Sequence, residues 1–219
     1  MKPSLFAHPF ASYCQKVLIA LYENGTDFTY RKFGPEDPGA MSELETLWPL
    51  KKFPVLLEDG RTYLESSIII EHLARRHPGP TLLIPAEPDA ALEVRMMDRC
   101  FDNYVMTPMQ KIVADFIRAI GERDPLGVRE ARSMLDAAYG WLNGVMATRT
   151  WAAGETFTLA DCAAAPSLFF SDWVHEIGEQ YPAVRAYRRR LLSRPSVARA
   201  VDEARPYRNL FPPGAPDRD

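Results

Sequence analysis

The stretch 51–73, KKFPVLLEDGRTYLESSIIIEHL, sets two lysines, a proline, a glutamate and two serines around a pattern that reads as an anion-receiving corner. Val55–Glu58 and 62–64 are short β-type runs. Asp59-Gly60 between them is the dipeptide that supplies the positive φ angles of a two-residue hairpin turn. Pro54 has no N–H to donate and so belongs at a strand start or an edge. A cis Phe53-Pro54 bond, which is rare without a structural reason, would turn the Phe53 N–H and C=O outward to pair with an extended peptide. Beyond the hairpin, Glu65-Ser66 precedes the apolar turn Ile68, Ile69, Ile70. Ser66 is therefore expected as an N-cap, with neighbouring N–H groups aimed at any carboxylate docked there.

A second candidate lies near the start, in SYCQKVLIALYENG. Ser12 is the first polar residue before an apolar-periodic segment, which makes it a natural N-cap. Cys14 falls near the same helix start, where a thiol can have a lowered pKa, but it also falls on the apolar face, where it would be inert. No partner cysteine stands at Ala11, so dithiol redox chemistry of the CxxC kind is not expected.

Together these two segments resemble the cytosolic glutathione transferases, with LKKxP followed by ES on a helix similar to the theta-like and related bacterial classes. The resemblance runs along most of the chain. It implies a thioredoxin-like α/β domain followed by an all-helical domain, glutathione as co-substrate, no metal, and a homodimer in the cytoplasm that conjugates or reduces small hydrophobic electrophiles in detoxification. It also implies site residues. The Phe53 backbone before cis Pro54 would pair with the cysteinyl part of glutathione, Glu65 and Ser66 would hold the γ-glutamyl end, and Lys52 would take the glycyl carboxylate. In the serine classes the hydroxyl that orients the thiolate sits where this chain has Ala11. Ser12 is then the nearest substitute and the expected catalytic residue, with Tyr13 and helix-start N–H groups as alternative donors. Phe10 and Tyr104 are expected to line the pocket for the apolar substrate, with Met109 and Phe116 as further candidates. The departure at Ala11 keeps a second function open, a non-catalytic protein on the same fold that binds glutathione or apolar ligands, or regulates a partner.

The elements that must position these residues follow from periodicity. The run 5–8 reads as a short buried strand, and 12–24 as a helix with Cys14, Val17, Leu18, Leu21 and Tyr22 on one face, stopped by Gly25. A second strand is expected over 28–33, and a loop with a weak helix over 35–48. With the hairpin and a helix over Ser66–Arg76, the order is βαβ, irregular α, ββα, a thioredoxin-like arrangement. Residues 77–88 hold four prolines without periodicity and read as a stiff linker between domains 1–76 and 89–219.

Beyond the linker, strand patterns give way to helical stripes. One runs through Met97, Phe101, Val105, Met109, Ile112, Phe116 and Ile120, where Pro108 should remove a backbone hydrogen bond and bend the helix near Tyr104. Another runs from Ala131 to Val145. Thr158 and Asp161 stand as N-cap and N3 of a capping box, with Phe157 placed as a staple, so Asp161 is expected to be structural. Two shorter helices over 182–192 and 196–204 precede a proline-rich tail that reads as loosely ordered or packed extended.

Composition limits the function classes. The 219 residues are 47% apolar and 25% charged with a net charge of −3, which suits a globular domain pair and argues against a nucleic-acid surface. The run Arg188-Arg189-Arg190 reads as a solvated helix face. No apolar stretch reaches the roughly 20 residues that span a bilayer, and His8 and Pro9 interrupt any secretory core. Cys14, Cys100 and Cys162, like the four histidines, are scattered without metal-ligand spacing and fit a reducing compartment.

Overall fold

The computed structural model describes residues 2–219. Its first half is built on a four-stranded sheet in the order β2-β1-β3-β4, formed by β1 (Ser4–Ala7), β2 (Thr29–Lys32), β3 (Val55–Glu58) and β4 (Arg61–Tyr63). β1 and β2 run parallel because α1 (Ser12–Glu23) crosses over between them, whereas β3 pairs antiparallel with β1 and β4. The hairpin closes with Glu58 opposite Arg61, and Asp59 and Gly60 take φ of 50° and 73°, the left-handed pair that a two-residue turn needs. α2 (Ala40–Leu47) and α3 (Ser66–Arg76) complete this half. α1 is buried on nearly all sides because it is packed between α3, α7 (Leu159–Val174) and α9 (Pro195–Ala204). Glu58, itself buried, accepts hydrogen bonds from His72 and His77 at 2.5 Å each and so pins the end of β3 to the last turn of α3. Burial pushes the Glu58 carboxyl up, but the two histidine contacts outweigh it and hold the group below its ordinary value.

The second half is helical. α4 (Pro88–Cys100) runs into a π-helical turn over Phe101–Met106 and then into α5 (Thr107–Ile117). The Thr107 N–H donates five residues back to the Asp102 carbonyl, which also accepts from the Thr107 hydroxyl at 2.9 Å. Pro108 therefore sits in the first turn of α5, where a missing N–H costs little, and the irregularity expected near Tyr104 takes the form of a π turn. α6 (Pro125–Met146) packs on α5 and α8 (Pro182–Ser193), while α7, buried along most of its length, is enclosed by α1, α4, the π turn and α8. No helix is long and apolar enough to cross a membrane among the described residues.

The capping box at the start of α7 is present, and Asp161 does more than cap. One carboxylate oxygen accepts from the Thr158 N–H (2.9 Å) and hydroxyl (3.2 Å), and the other from the Ala152 N–H (2.9 Å) and the Tyr187 hydroxyl (2.6 Å). A carboxylate with 0% exposure needs this many donors, because an uncompensated buried charge would cost several kcal/mol.

Three expectations are corrected here. Ser12 and Ser66 are not N-caps: Ala11 and Glu65 occupy those positions, neither side chain caps its helix, and both serines are the first residues inside. The tail is packed, as one reading had it, with Phe211 buried against the core, but Arg205–Leu210 form a 3₁₀ turn where an extended or loose segment was expected. Asp219 holds that segment through Arg205 and Arg208. The basic run is only partly a solvated face: Arg189 is exposed, but Arg188 is buried and reaches Asp172 (3.3 Å) and the Asp219 carbonyl (3.0 Å). Arginine is the cation that tolerates such burial, because its planar fork satisfies several acceptors at once.

Candidate functional site

The starts of α1 and α3, the segment before β3 and the α4–α5 region together wall a cleft of about 770 Å³. A helix start leaves its first N–H groups without intrahelical acceptors. Here two such starts, each without a side-chain cap, line one cavity through Ala11, Ser12, Tyr13 and through Leu64, Glu65, Ser66. Both lend it partial positive charge suited to an anionic ligand.

Lys52, Phe53, Pro54, Glu65, Ser66, Ser12 and Phe10 all line this cleft. The Phe53-Pro54 bond is cis. Glu65 is exposed with φ 68°, whereas Ser66 beside it is buried. Of the two lysines, Lys51 is drawn to Glu45 on α2 at 2.9 Å, and Lys52 stands next to it, exposed on the cleft wall. The apolar part of the lining comes from Phe10, Met109, Val113, Phe170 and Phe211. Phe10 meets Phe170 edge-on at 5.4 Å, and Phe211 contacts both rings, at 6.3 and 6.1 Å between centroids.

Tyr104 is not in the cleft, and neither is Phe116. Tyr104 is half-exposed and lines a separate apolar groove of about 160 Å³ with Cys100, Met134 and Trp141. The π turn explains the error. Five-residue hydrogen bonding inserts an extra position into the helix, so Asp102 and Asn103 face the cleft while Tyr104 turns toward α6. Phe116, a turn past Ile112 on the expected stripe, points to solvent.

Cys14 has no exposed surface, and burial pushes its thiol up to about 12, which excludes a reactive thiolate there. Tyr13 is half-buried in the cleft wall. Burial first and the nearby Asp102 carboxylate second push its phenol up to about 12, so near neutral pH it remains a hydroxyl that can donate a hydrogen bond. Among the described residues no group of three or more His, Cys, Asp or Glu side chains is arranged to hold a metal ion.

The sequence reading missed Lys16, Asp98, Arg99 and Asp102. Lys16, on α1 one turn past Ser12, is 1% exposed, and its Nζ lies 2.5 Å from Asp98 and 2.8 Å from Asp102. Arg99 and Asp102 both line the cleft. A trace was present in the sequence: a lone lysine inside an apolar helical run, and two aspartates four apart on a distant helix. Nothing in their spacing pairs them across more than 80 positions.

Comparison with known proteins places this geometry. Residues 5–81 match the family profile described as glutathione S-transferase, N-terminal domain, and residues 121–190 that of the C-terminal domain. The FtsZ-localized protein A of Caulobacter vibrioides is 31% identical over 163 residues, 70% of this chain and 71% of that protein. The maleylacetoacetate isomerase of Mus musculus is 24% identical over 197 residues, 88% of each chain. Among solved structures, a glutathione S-transferase of Methylobacterium radiotolerans in complex with glutathione sulfonate superposes with a TM-score of 0.79 at 27% identity, covering 92% of this chain and 95% of that one. The two matched halves, the sheet order and the cis Phe53-Pro54 corner agree: this chain belongs to the glutathione S-transferase family.

Proposed function

We propose that the cleft binds glutathione and that the protein conjugates or reduces small hydrophobic electrophiles with it. The observation that carries this reading is the meeting of two uncapped helix starts, Lys52 and Glu65 in one cavity that also has an aromatic wall. Glutathione carries two carboxylates and one ammonium, and those groups are complementary to it by charge. In this reading residues 1–76 form the glutathione-binding domain, joined by the linker 77–88 to the helical domain 89–219. Lys52 takes the glycyl carboxylate, the Phe53 backbone before Pro54 takes the cysteinyl unit, and Glu65 and Ser66 take the γ-glutamyl end.

The chemical step is attack of the thiolate sulfur on the electrophilic carbon. The carbon–sulfur bond forms as the leaving group departs with its electron pair, and the thiol proton has already passed to solvent. A cysteine thiol with its ordinary value near 8.5 is only a few per cent ionised at neutral pH, and lowering it by two units takes about 2.7 kcal/mol of differential stabilisation. The first N–H groups of α1 supply part of that, with the Ser12 hydroxyl as catalytic donor and Tyr13 as its neighbour. Phe10, with Phe170 and Phe211, receives the apolar body of the electrophile.

A homodimer in the cytoplasm, acting in detoxification, completes the proposal. Leu92, Met96, Cys100 and Tyr104 recur every fourth position along one side of the α4 run, and Met134 and Trp141 face Tyr104 across the small groove. With Cys100 partly buried among them, the large exposed side chains Leu92, Met96, Tyr104, Met134 and Trp141 suit burial against a second copy.

Retention on immobilised glutathione, measured beside conjugation of an aryl halide, tests the function. Binding with turnover supports the enzyme, and retention without turnover supports the ligand-binding alternative. Ala11 and the similarity to FtsZ-localized protein A favour keeping that second reading. Glu65→Ala should weaken glutathione binding by about 1–3 kcal/mol, as expected for loss of a charge-assisted hydrogen bond, with an unchanged melting temperature. Equal affinity by calorimetry would reduce Glu65 to a helix start.

A further inference from the structure

The helical half reaches into the Glu65–Ser66 corner through a cluster of four charges. Lys16 Nζ contacts Asp98, Asp102 and the Ser67 hydroxyl, the last at 2.9 Å. Ser67 in turn donates to Asp98 at 2.8 Å. The Arg99 Nε and Nη2 donate to Asp98 at 3.1 and 2.7 Å, and Nη2 also reaches Asp102 at 2.6 Å and the Ser67 oxygen. Two cations balance two carboxylates. Lys16, Asp98 and Asp102 are almost fully buried, whereas half of the Arg99 side chain is exposed, in the wall of the cleft.

This arrangement has a direction. The carboxylates hold one edge of the guanidinium through Nε and Nη2, and Lys16 shares their charge, so the Nη1 corner is the part of Arg99 outside these contacts. Contact with Ser67 fixes Arg99 beside Ser66, at the first turn of α3. An anion docked at that turn would meet backbone N–H groups on one side and a pre-aimed guanidinium on the other, a combination suited to a carboxylate. Glu65, on the same corner, is complementary to an adjacent ammonium.

The geometry points to Arg99 as the residue of the helical half that binds the α-carboxylate of the γ-glutamyl end of glutathione, with Asp98 and Asp102 as positioning residues for it. The inference rests on the glutathione reading above. It makes the amino-acid end of the ligand a bridge between the two halves of the chain, and it makes Lys16, which touches no ligand, a condition for Arg99 to be held in place.

The test is calorimetric titration of the full chain with three tripeptides: glutathione, γ-aminobutyryl-cysteinyl-glycine, which lacks the α-carboxylate, and glutaryl-cysteinyl-glycine, which lacks the ammonium. The parent protein should prefer glutathione over the aminobutyryl peptide by about 10- to 100-fold. In Arg99→Gln that preference should collapse: glutathione and the glutaryl peptide weaken by the same factor, and the aminobutyryl peptide is unaffected. Arg99→Lys should restore part of it. Because Arg99→Gln leaves two buried carboxylates for one lysine, the series is repeated on Arg99→Gln/Asp98→Asn, in which Lys16 and Asp102 balance, with the same pattern expected. Equal weakening of glutathione and the aminobutyryl peptide, or an unchanged preference, would overturn the role of Arg99 while leaving the glutathione reading in place. If the parent bound none of the three, the glutathione reading would fall and this inference with it.

Discussion

Replacing Lys16 with methionine is expected to lower the stability of the fold by about 3–5 kcal/mol, the range for removing one partner of a buried ion pair. The size follows from what remains. Asp98 and Asp102 would share one buried site with only the half-exposed Arg99 opposite them. Burial already pushes the Asp102 carboxyl above its ordinary value even with Lys16 in place, and without the lysine it would rise further. The sign of the pH dependence follows. A carboxyl whose folded-state value is raised destabilises the fold when both states are ionised, and the penalty fades as pH falls through the raised value, because the folded form then takes up the proton. The deficit of the variant should thus be smaller at pH 5 than at pH 8 in urea titrations. Adding Asp98→Asn leaves Arg99 facing Asp102 with balanced charge and should recover much of the loss. A deficit below about 1 kcal/mol would mean that water reaches the cluster and screens it.

Asp161→Ala is expected to cost about 2–5 kcal/mol, more than the 0.5–2 kcal/mol typical of a lost helix cap. Besides the Thr158 groups, it strands the Ala152 N–H and the Tyr187 hydroxyl in a region without solvent. For a chain of this size each kcal/mol lowers the melting temperature by roughly 2–4 °C. Asp161 does not line the cleft, so the folded variant should bind glutathione like the parent. Collapse of binding with stability intact would overturn its structural assignment.

Local chemistry made much of this legible in advance. Asp59-Gly60 specified its turn because few other pairs adopt two positive φ angles in succession, and Thr158 with Asp161 specified a helix start because both halves of the box lie within four residues. The corner from Lys52 to Ser66 is contiguous, so its residues reach one cavity through a hairpin alone. The misplaced features depend on what lies outside the local window. The π turn shifted the helical register, so a stripe that is regular in sequence is not regular in space, and Tyr104 left the cleft for that reason, whereas beyond the turn α5 lines the cleft through Met109, Val113 and Ile117 and leaves Phe116 exposed. Ser12 and Ser66 have the composition of caps, yet the chain enters each helix one residue earlier. Arg188 was read as solvated because nothing near it in sequence announces Asp172 and Asp219 as partners. Lys16 with Asp98 and Asp102 is the extreme case, since long-range pairing of charges follows from packing that the pattern does not encode.

The measurement that bears most directly on glutathione activation is the ionisation of the glutathione thiol in the complex, followed by thiolate absorbance across pH. Stabilisation by the start of α1 predicts a value at least one unit below 8.5, which corresponds to about 1.4 kcal/mol, and a rise toward 8.5 in Ser12→Ala with glutathione affinity and melting temperature held. A thiol that binds in the cleft yet titrates at its ordinary value would contradict the assignment of this site to thiolate chemistry.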